Sequence, residues 1–489
     1  NRTAQGNKLV VNANARVGKI ENFEKYVFNY KESMAADPML TLTGGAASMR
    51  LDAIEANGTV TETPTTLVHN AAGLTIADYD NKPKSILNAD GTRETNLDVK
   101  KTGTLLTDIV RYSSYSLKGT KESTTSGGNT WGGRSSAGNT TAENSVTITG
   151  GNHTNIYGGW TTGAGSTAAA DKRGDSTSNK VTVNGSAAVS GTVYGGFTDV
   201  ANGKATRNEV TVDKAIAGSV VGGKARGEAS GNTVTIKANT GAVTGGEGAI
   251  TNNNTVNLEG ASVNGTITGG TQADGTGNTL NVAGTNTAAN IVGFQKVAFN
   301  MNGVAAHGTM LNLTGGAATK VDWTNLTATG TAVKPLTLLK NERGIELAGY
   351  TGAAKSETTD RAETNVDVRK NNDGKVTEIT YEGYQFARAE SASVIGTDAY
   401  GGISKAGNAT HTNHITVNSD YTNVYGGHTS GAGTTKDDKD NSYSNSVTIT
   451  GGTIGNVYGG YTAAADGTTN NNTVTLAGGT VTGTVSGGN

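Results

Sequence analysis

Cysteine is missing altogether, and proline occurs only 4 times in 489 residues. Without cysteine there can be no disulfide, no thiolate metal ligand and no cysteine nucleophile. So little proline beside 72 glycines argues against a proline-rich linker, and there is no strict Gly-X-Y period to suggest collagen. No apolar run approaches the roughly 18 residues that a membrane-crossing helix needs, so no transmembrane helix is expected. Charge is balanced: 39 basic and 41 acidic residues give a net −2. That leaves no basic surplus to meet nucleic acid or an anionic membrane. Apolar residues are 34% of the chain, and glycine brings the total near the globular share of about 45–50%, which counts glycine. Aromatics are scarce, at 5%, which makes their placement informative.

What is abundant is repetition. A seven-residue word appears as "NIYGGWT" at Asn155–Thr161, "TVYGGFT" at Thr192–Thr198, "NVYGGHT" at Asn423–Thr429 and "NVYGGYT" at Asn456–Thr462. Between these words runs a second motif, Asn-x-Val-Thr-Ile/Val. Its asparagines are Asn144, Asn179, Asn208, Asn232, Asn254 and Asn278, spaced 35, 29, 24, 22 and 24 residues apart. A second series is Asn413, Asn445 and Asn472. The basic unit is therefore 22–24 residues, with insertions in the longer ones. A longer period encloses the short one. "IENFEKYVFN" from Ile20 matches "IVGFQKVAFN" from Ile291, an offset of 271, and "TNLDVKK" from Thr95 matches "TNVDVRK" from Thr364, an offset of 269. The chain thus reads as about two copies of one unit of roughly 270 residues. Residues 1–19 end a preceding repeat. Residues 20–125 are a less regular strand-rich segment and 126–290 a short-repeat region. Residues 291–394 and 395–489 are their second copies, the last incomplete. A start and an end inside a repeat are read as those of a processed protein or an excerpt.

"SVTIT", "KVTVN", "EVTVD" and "TVTIK" alternate apolar and polar residues and are rich in β-branched types, the pattern of a half-buried strand. No segment has a convincing 3.6 period. A unit of two or three short strands cannot bury its own apolar face but can do so against its neighbours. The expected fold is all-β, a parallel β-solenoid or β-helix of 22–24-residue coils with longer inserted loops. At ~23 residues and about 4.8 Å per coil, 489 residues make at most about 21 coils and a rod on the order of 100 Å. Val146, Ile148, Val181, Val183, Val210, Val212, Val234 and Ile236 are expected to line one continuous core. In the seven-residue word, Val457 is expected to point inward and Tyr458 outward. Gly459 and Gly460 are expected to form a corner, where a Cβ would clash or φ must be positive. The strand-opening asparagines are placed to stack amide on amide.

Asn-x-Val-Thr-Ile, Gly-Gly-x-Ile-x-x-Val-Tyr-Gly-Gly-Tyr and the Ala/Gly/Asn-rich spacers resemble the passenger regions of Gram-negative autotransporters, the type V secreted surface proteins. The resemblance covers most of 126–290 and 395–489. It implies export through the outer membrane and display at the cell surface or outside the cell as a β-solenoid stalk. It also implies a role in adhesion to cells, matrix or other bacteria, including biofilm attachment. The absence of cysteine is compatible with passage through an oxidising periplasm. A terminal barrel of ~10-residue alternating strands is not seen here, so the export route rests on the resemblance.

Chemistry-bearing motifs are sparse. Among 6 histidines, His411 and His414 lie three apart in a strand-like stretch and are expected on opposite faces rather than as a metal pair. No nucleophile elbow, Walker loop or calcium nonapeptide occurs, and no cofactor is indicated. The charged runs "DKRGD" (Asp171–Asp175) and "KDDKD" (Lys436–Asp440) share charge type but not order. They read as solvated inserted loops, with an ion or partner contact and catalysis as the alternatives. The aromatics form columns: Trp131, Tyr157 and Tyr194; Tyr400, Tyr425 and Tyr458; and, after the glycines, Trp160, Phe197 and Tyr461, with His428 in one aromatic place. They read as a structural ladder or as a contact strip for glycan, protein or another solenoid.

The leading expectation is a non-enzymatic, adhesin-like stalk at the cell surface or secreted. A structural subunit of a self-assembling extracellular fibre is the second reading. A polysaccharide-active enzyme on a β-helix, which would need carboxylates converging on a groove, is the third.

Overall fold

The computed structural model describes residues 6–31, 38–58, 65–81, 83–163, 174–330, 335–431 and 440–489. The chain is all-β: among the described residues there is no α-helix, and many of the sheets are built from parallel strands. It divides into two compact units, Asn1–Asn281 with Ile291–Lys296, and Val282–Asn290 with Val297–Asn489.

In the first unit the short-repeat region returns to the same places with each motif. Strands Ser145–Ile148, Lys180–Val183, Glu209–Val212, Thr233–Ile236 and Thr255–Glu259 pair parallel and in register, so Val146, Val181, Val210, Val234 and Val256 lie side by side. Strands Asn129–Ser135, Asn155–Thr161, Thr192–Thr198, Ser219–Lys224, Val243–Glu247 and Ser262–Gly270 form a second parallel series. Thr141–Ala142, Ser176–Thr177 and Ala205–Thr206 form a short third one. All eight expected core residues are buried, as are Ile156, Val193, Val220, Val243 and Ile267 of the second series. β-branched side chains stacked in register fill such a core with little rotamer entropy to lose.

The segment before it begins in the same parallel manner: Ala15–Val17 pairs with Leu40–Leu42, which pairs with Thr65–Asn70. It then turns antiparallel through Leu105–Ser116, Arg93–Thr102 and Lys84–Leu87. Phe28, Met39, Leu40, Leu67, Leu97 and Ile109 fill its core.

The second unit repeats the order. Thr309–Leu313 and Leu336–Asn341 are parallel. Val376–Gln385, Ala362–Lys370 and Lys355–Thr358 follow antiparallel. Asp398–Ser404, Tyr421–Thr429 and Ser446–Thr462 restart a parallel series.

The Gly-Gly pair is not a corner. Gly459 and Gly460 lie inside the long strand Ser446–Thr462, and neither has a positive φ. In Asn155–Thr161 the in–out alternation breaks at the pair, Gly158 and Gly159 both facing inward. A Cβ on Gly158 would lie 2.4 Å from the Gly195 carbonyl oxygen, and one on Gly159 would lie 2.5 Å from Asn179 Nδ2. Close approach, not backbone freedom, excludes a side chain there. The left-handed turn stands one residue before each ladder asparagine, at Glu143, Ser178, Arg207, Gly231, Asn253 and Gly277, and at Thr412, Ser444 and Asn471 in the second unit, with φ between 54° and 72°.

Candidate functional site

The asparagine ladder and the glycine pair are two sides of one contact. Asn179 donates from Nδ2 to Asn208 Oδ1 at 3.0 Å, and its backbone N–H reaches the same oxygen at 3.0 Å. Asn208 does the same to Asn232, and Asn232 to Asn254. The second hydrogen of Asn208 Nδ2 reaches the Ser176 carbonyl at 3.0 Å. These asparagines are fully buried and hydrogen-bonded on both sides, which is what keeps a buried amide affordable. Gln295 ends the series, its Oε1 accepting Asn278 N–H at 2.9 Å. Asn413, Asn445 and Asn472 repeat it in the second unit.

Breaking the alternation at the glycines puts the aromatic before them and the aromatic after them on one side of the strand. Trp131, Tyr157 and Tyr194 stack in line, with ring centroids 6.3 and 5.1 Å apart and planes within 9° of parallel. Tyr400, Tyr425 and Tyr458 do likewise at 5.1 and 5.2 Å. Trp160 and Phe197, and in the second unit His428 and Tyr461, pack edge-on against these stacks. The two expected columns are thus one double column in each unit. None of the nine is freely exposed: Trp131 is buried and the other eight are half-buried. Burial, and next the negative Asp398, push the Tyr425 phenol up to about 12. Burial also raises Tyr157 and Tyr400 and lowers His428.

Cations flank the columns. In the first unit the Arg134 guanidinium lies 4.5 Å from the Tyr115 ring centre, 4.4 Å from Trp131 and 5.3 Å from Trp160. In the second, Lys405 Nζ lies 4.8 Å from Tyr384.

His411 and His414 fall in two strands, Thr410–His411 and His414–Val417, separated by the left-handed Thr412. His411 stacks on Tyr443 at 5.2 Å, and His414 Nδ1 lies 2.8 Å from Ser446 Oγ. Of the charged runs, 171–173 and 436–439 lie outside the described residues. Their last residues belong to the sheet body: the Asp175 carbonyl accepts Thr141 N–H at 2.9 Å, and Asp440 N–H donates to Gly407 at 2.8 Å.

One cluster escaped the motif reading. Glu94 is fully buried. It accepts Ser135 Oγ at 2.7 Å, Ser136 N–H at 2.9 Å, Asn139 Nδ2 at 2.6 Å and Asn96 Nδ2 at 2.9 Å. Glu363 makes the same set with Ser404, Lys405, Asn408 and Asn365. The signal was present, because both matched words are preceded by glutamate, at Glu94 and Glu363. Among the described residues no helix is long and apolar enough to cross a membrane. Compared with known proteins, the chain matches no family model, no curated protein and no solved structure.

Proposed function

We propose that the parallel series are the coils of a β-solenoid and that the protein is a non-enzymatic stalk, adhesin-like, shown at the cell surface or secreted. One observation carries the reading: the two copies agree where the groups are structural and diverge where they are polar and accessible. The asparagine ladder, the glycine pair and the buried glutamate recur. The half-exposed pair His69–Asp108, 2.7 Å apart, is answered at the matching strand positions by Lys340–Glu378 at 3.6 Å. Keeping charge complementarity while changing the acid–base group suits a strand-to-strand tie, not a reacting centre.

The stacked columns fit the same role. Their ring faces are taken up by one another, so a partner would meet hydroxyls and edges. The test is Tyr157, Tyr194, Tyr425 and Tyr458→Thr in one variant, since Thr244 and Thr268 already stand at those places in other strands. Cells displaying the parent are expected to attach to matrix-coated surfaces, and the variant should keep its fold. Attachment lost with fold intact makes the columns a contact strip, whereas unfolding makes them a structural ladder. Failure of the displayed parent to attach anywhere would remove the adhesin reading.

A further inference from the structure

The second unit has an opening where the first has a plug. Hydrogen bonds to the buried glutamates align the two copies: Ser135 and Ser136 on Glu94 match Ser404 and Lys405 on Glu363. Arg134 therefore matches Ile403, and strand pairing matches Tyr115 with Tyr384. In the first copy the guanidinium of Arg134 sits among Tyr115, Trp131 and Trp160. In the second, the shorter Ile403 lines a cavity of about 530 Å³ together with Tyr384, Arg369, Glu382 and Lys405. That volume lies within the roughly 300–1,000 Å³ of small-molecule sites.

The walls are of two kinds. Glu382 Oε1 accepts Arg369 Nη2 at 2.9 Å, its Oε2 accepts Lys405 Nζ at 2.9 Å, and the Tyr384 hydroxyl also donates to it. Burial pushes the Glu382 carboxyl up, but its bonds from Lys405 and Arg369 outweigh that and hold it below the ordinary value. Facing this network are Val394 and Ile395, 55% and 42% exposed on the rim hairpin. The wider network pairs Lys340, Arg369 and Lys405 with Glu342, Glu378 and Glu382. Each of these three cations is ion-paired with a carboxylate, so none is left free to hold an anion.

A fixed carboxylate beside fixed N–H donors, across from apolar side chains, matches a ligand with hydroxyls on its edges and C–H groups on its faces. The geometry points to this cavity as a binding site for a neutral saccharide. The site is independent of the stalk reading, which concerns display and attachment.

The purified chain would be screened on an array of neutral oligosaccharides, with sialylated and uronic acid glycans on the same array, and the best ligand titrated by calorimetry. A neutral saccharide should bind. Ile403→Arg copies the residue that fills this place in the first copy, so it should fold and weaken binding at least tenfold. Glu382→Gln, which keeps the shape, should weaken it likewise. Lys180→Gln, at an exposed position of the other unit, should not. Binding of acidic glycans alone, no neutral ligand up to about 10 mM, or unchanged affinity in folded Ile403→Arg or Glu382→Gln would overturn the assignment. These readings need no cell attachment, so their failure leaves the stalk proposal standing, and failed attachment leaves them standing.

Discussion

At the scale of single residues, the repeated word is explained by what its neighbours need. Val210 is 1% exposed in the middle of a stacked series. Val210→Asp would bury an unpaired carboxylate and should lower stability by about 3 kcal/mol or more in a urea titration. Thr412 holds φ at 55°, an expensive place for a β-branched residue. Thr412→Gly should raise the melting temperature, by the equivalent of at most about 1 kcal/mol once the greater backbone entropy of glycine is offset. Burial lowers the pKa of His428 from its ordinary 6.5, so the unfolded chain binds the proton more readily than the folded one. Stability should therefore be lost as pH falls below about 6.5 and level off below the depressed folded value. His428→Tyr, matching Tyr461 beside it, should remove that component, as seen by comparing denaturation midpoints at pH 7.5 and 5. The inward valines and stacking asparagines were legible because alternation and amide chemistry are local. The glycine pair was misplaced at a corner because a glycine word alone does not tell a positive φ from crowding by an asparagine on a different strand. Five of the true left-handed positions carry Glu, Ser, Arg or Thr, none of which announces a turn; only Gly231, Asn253, Gly277 and Asn471 have a residue type that does.

At the scale of elements, each buried glutamate pins an antiparallel hairpin to the first strand of the parallel series that follows. Glu94 belongs to Arg93–Thr102, and its partners Ser135 to Asn139 lie at and after the end of Asn129–Ser135. Glu94→Ala would leave several buried donors unpaired, at about 1–3 kcal/mol each before relaxation. Glu94→Gln should cost less, because an acceptor oxygen remains. Hydrogen exchange should show the loss first in Asn129–Ser135, and protection there equal to the parent's would contradict the pinning role. The sequence showed these segments as strand-rich and duplicated. Their switch from parallel to antiparallel was not legible, because pairing direction depends on which distant strand is met. The cavity beside Ile403 was hidden for the same reason: its walls come from distant strands, and they differ from the aligned copy at several places, Ile403 standing for Arg134 and Lys405 for Ser136. Opposite charges also face one another between neighbouring strands, as in Lys180–Glu209 and Lys237–Asp213, each at 3.2 Å. Such exposed pairs contribute only about 0–1 kcal/mol each, so they favour register more than stability.

At the scale of the whole molecule, the proposed solenoid rests on stacking: every return of the motif would add one strand spacing, whatever length of chain lies between. The measurement is a set of spin-label distances within the first unit, made clean by the absence of native cysteine. Thr147, Thr182, Thr211, Thr235 and Asn257 occupy one register position in successive strands. Cysteine pairs joining position 147 to 211, 235 and 257 should give backbone separations near 10, 14 and 19 Å, rising by about 4.8 Å per strand. Distances that follow the sequence interval, or that fail to rise from one strand to the next, would contradict a stacked solenoid.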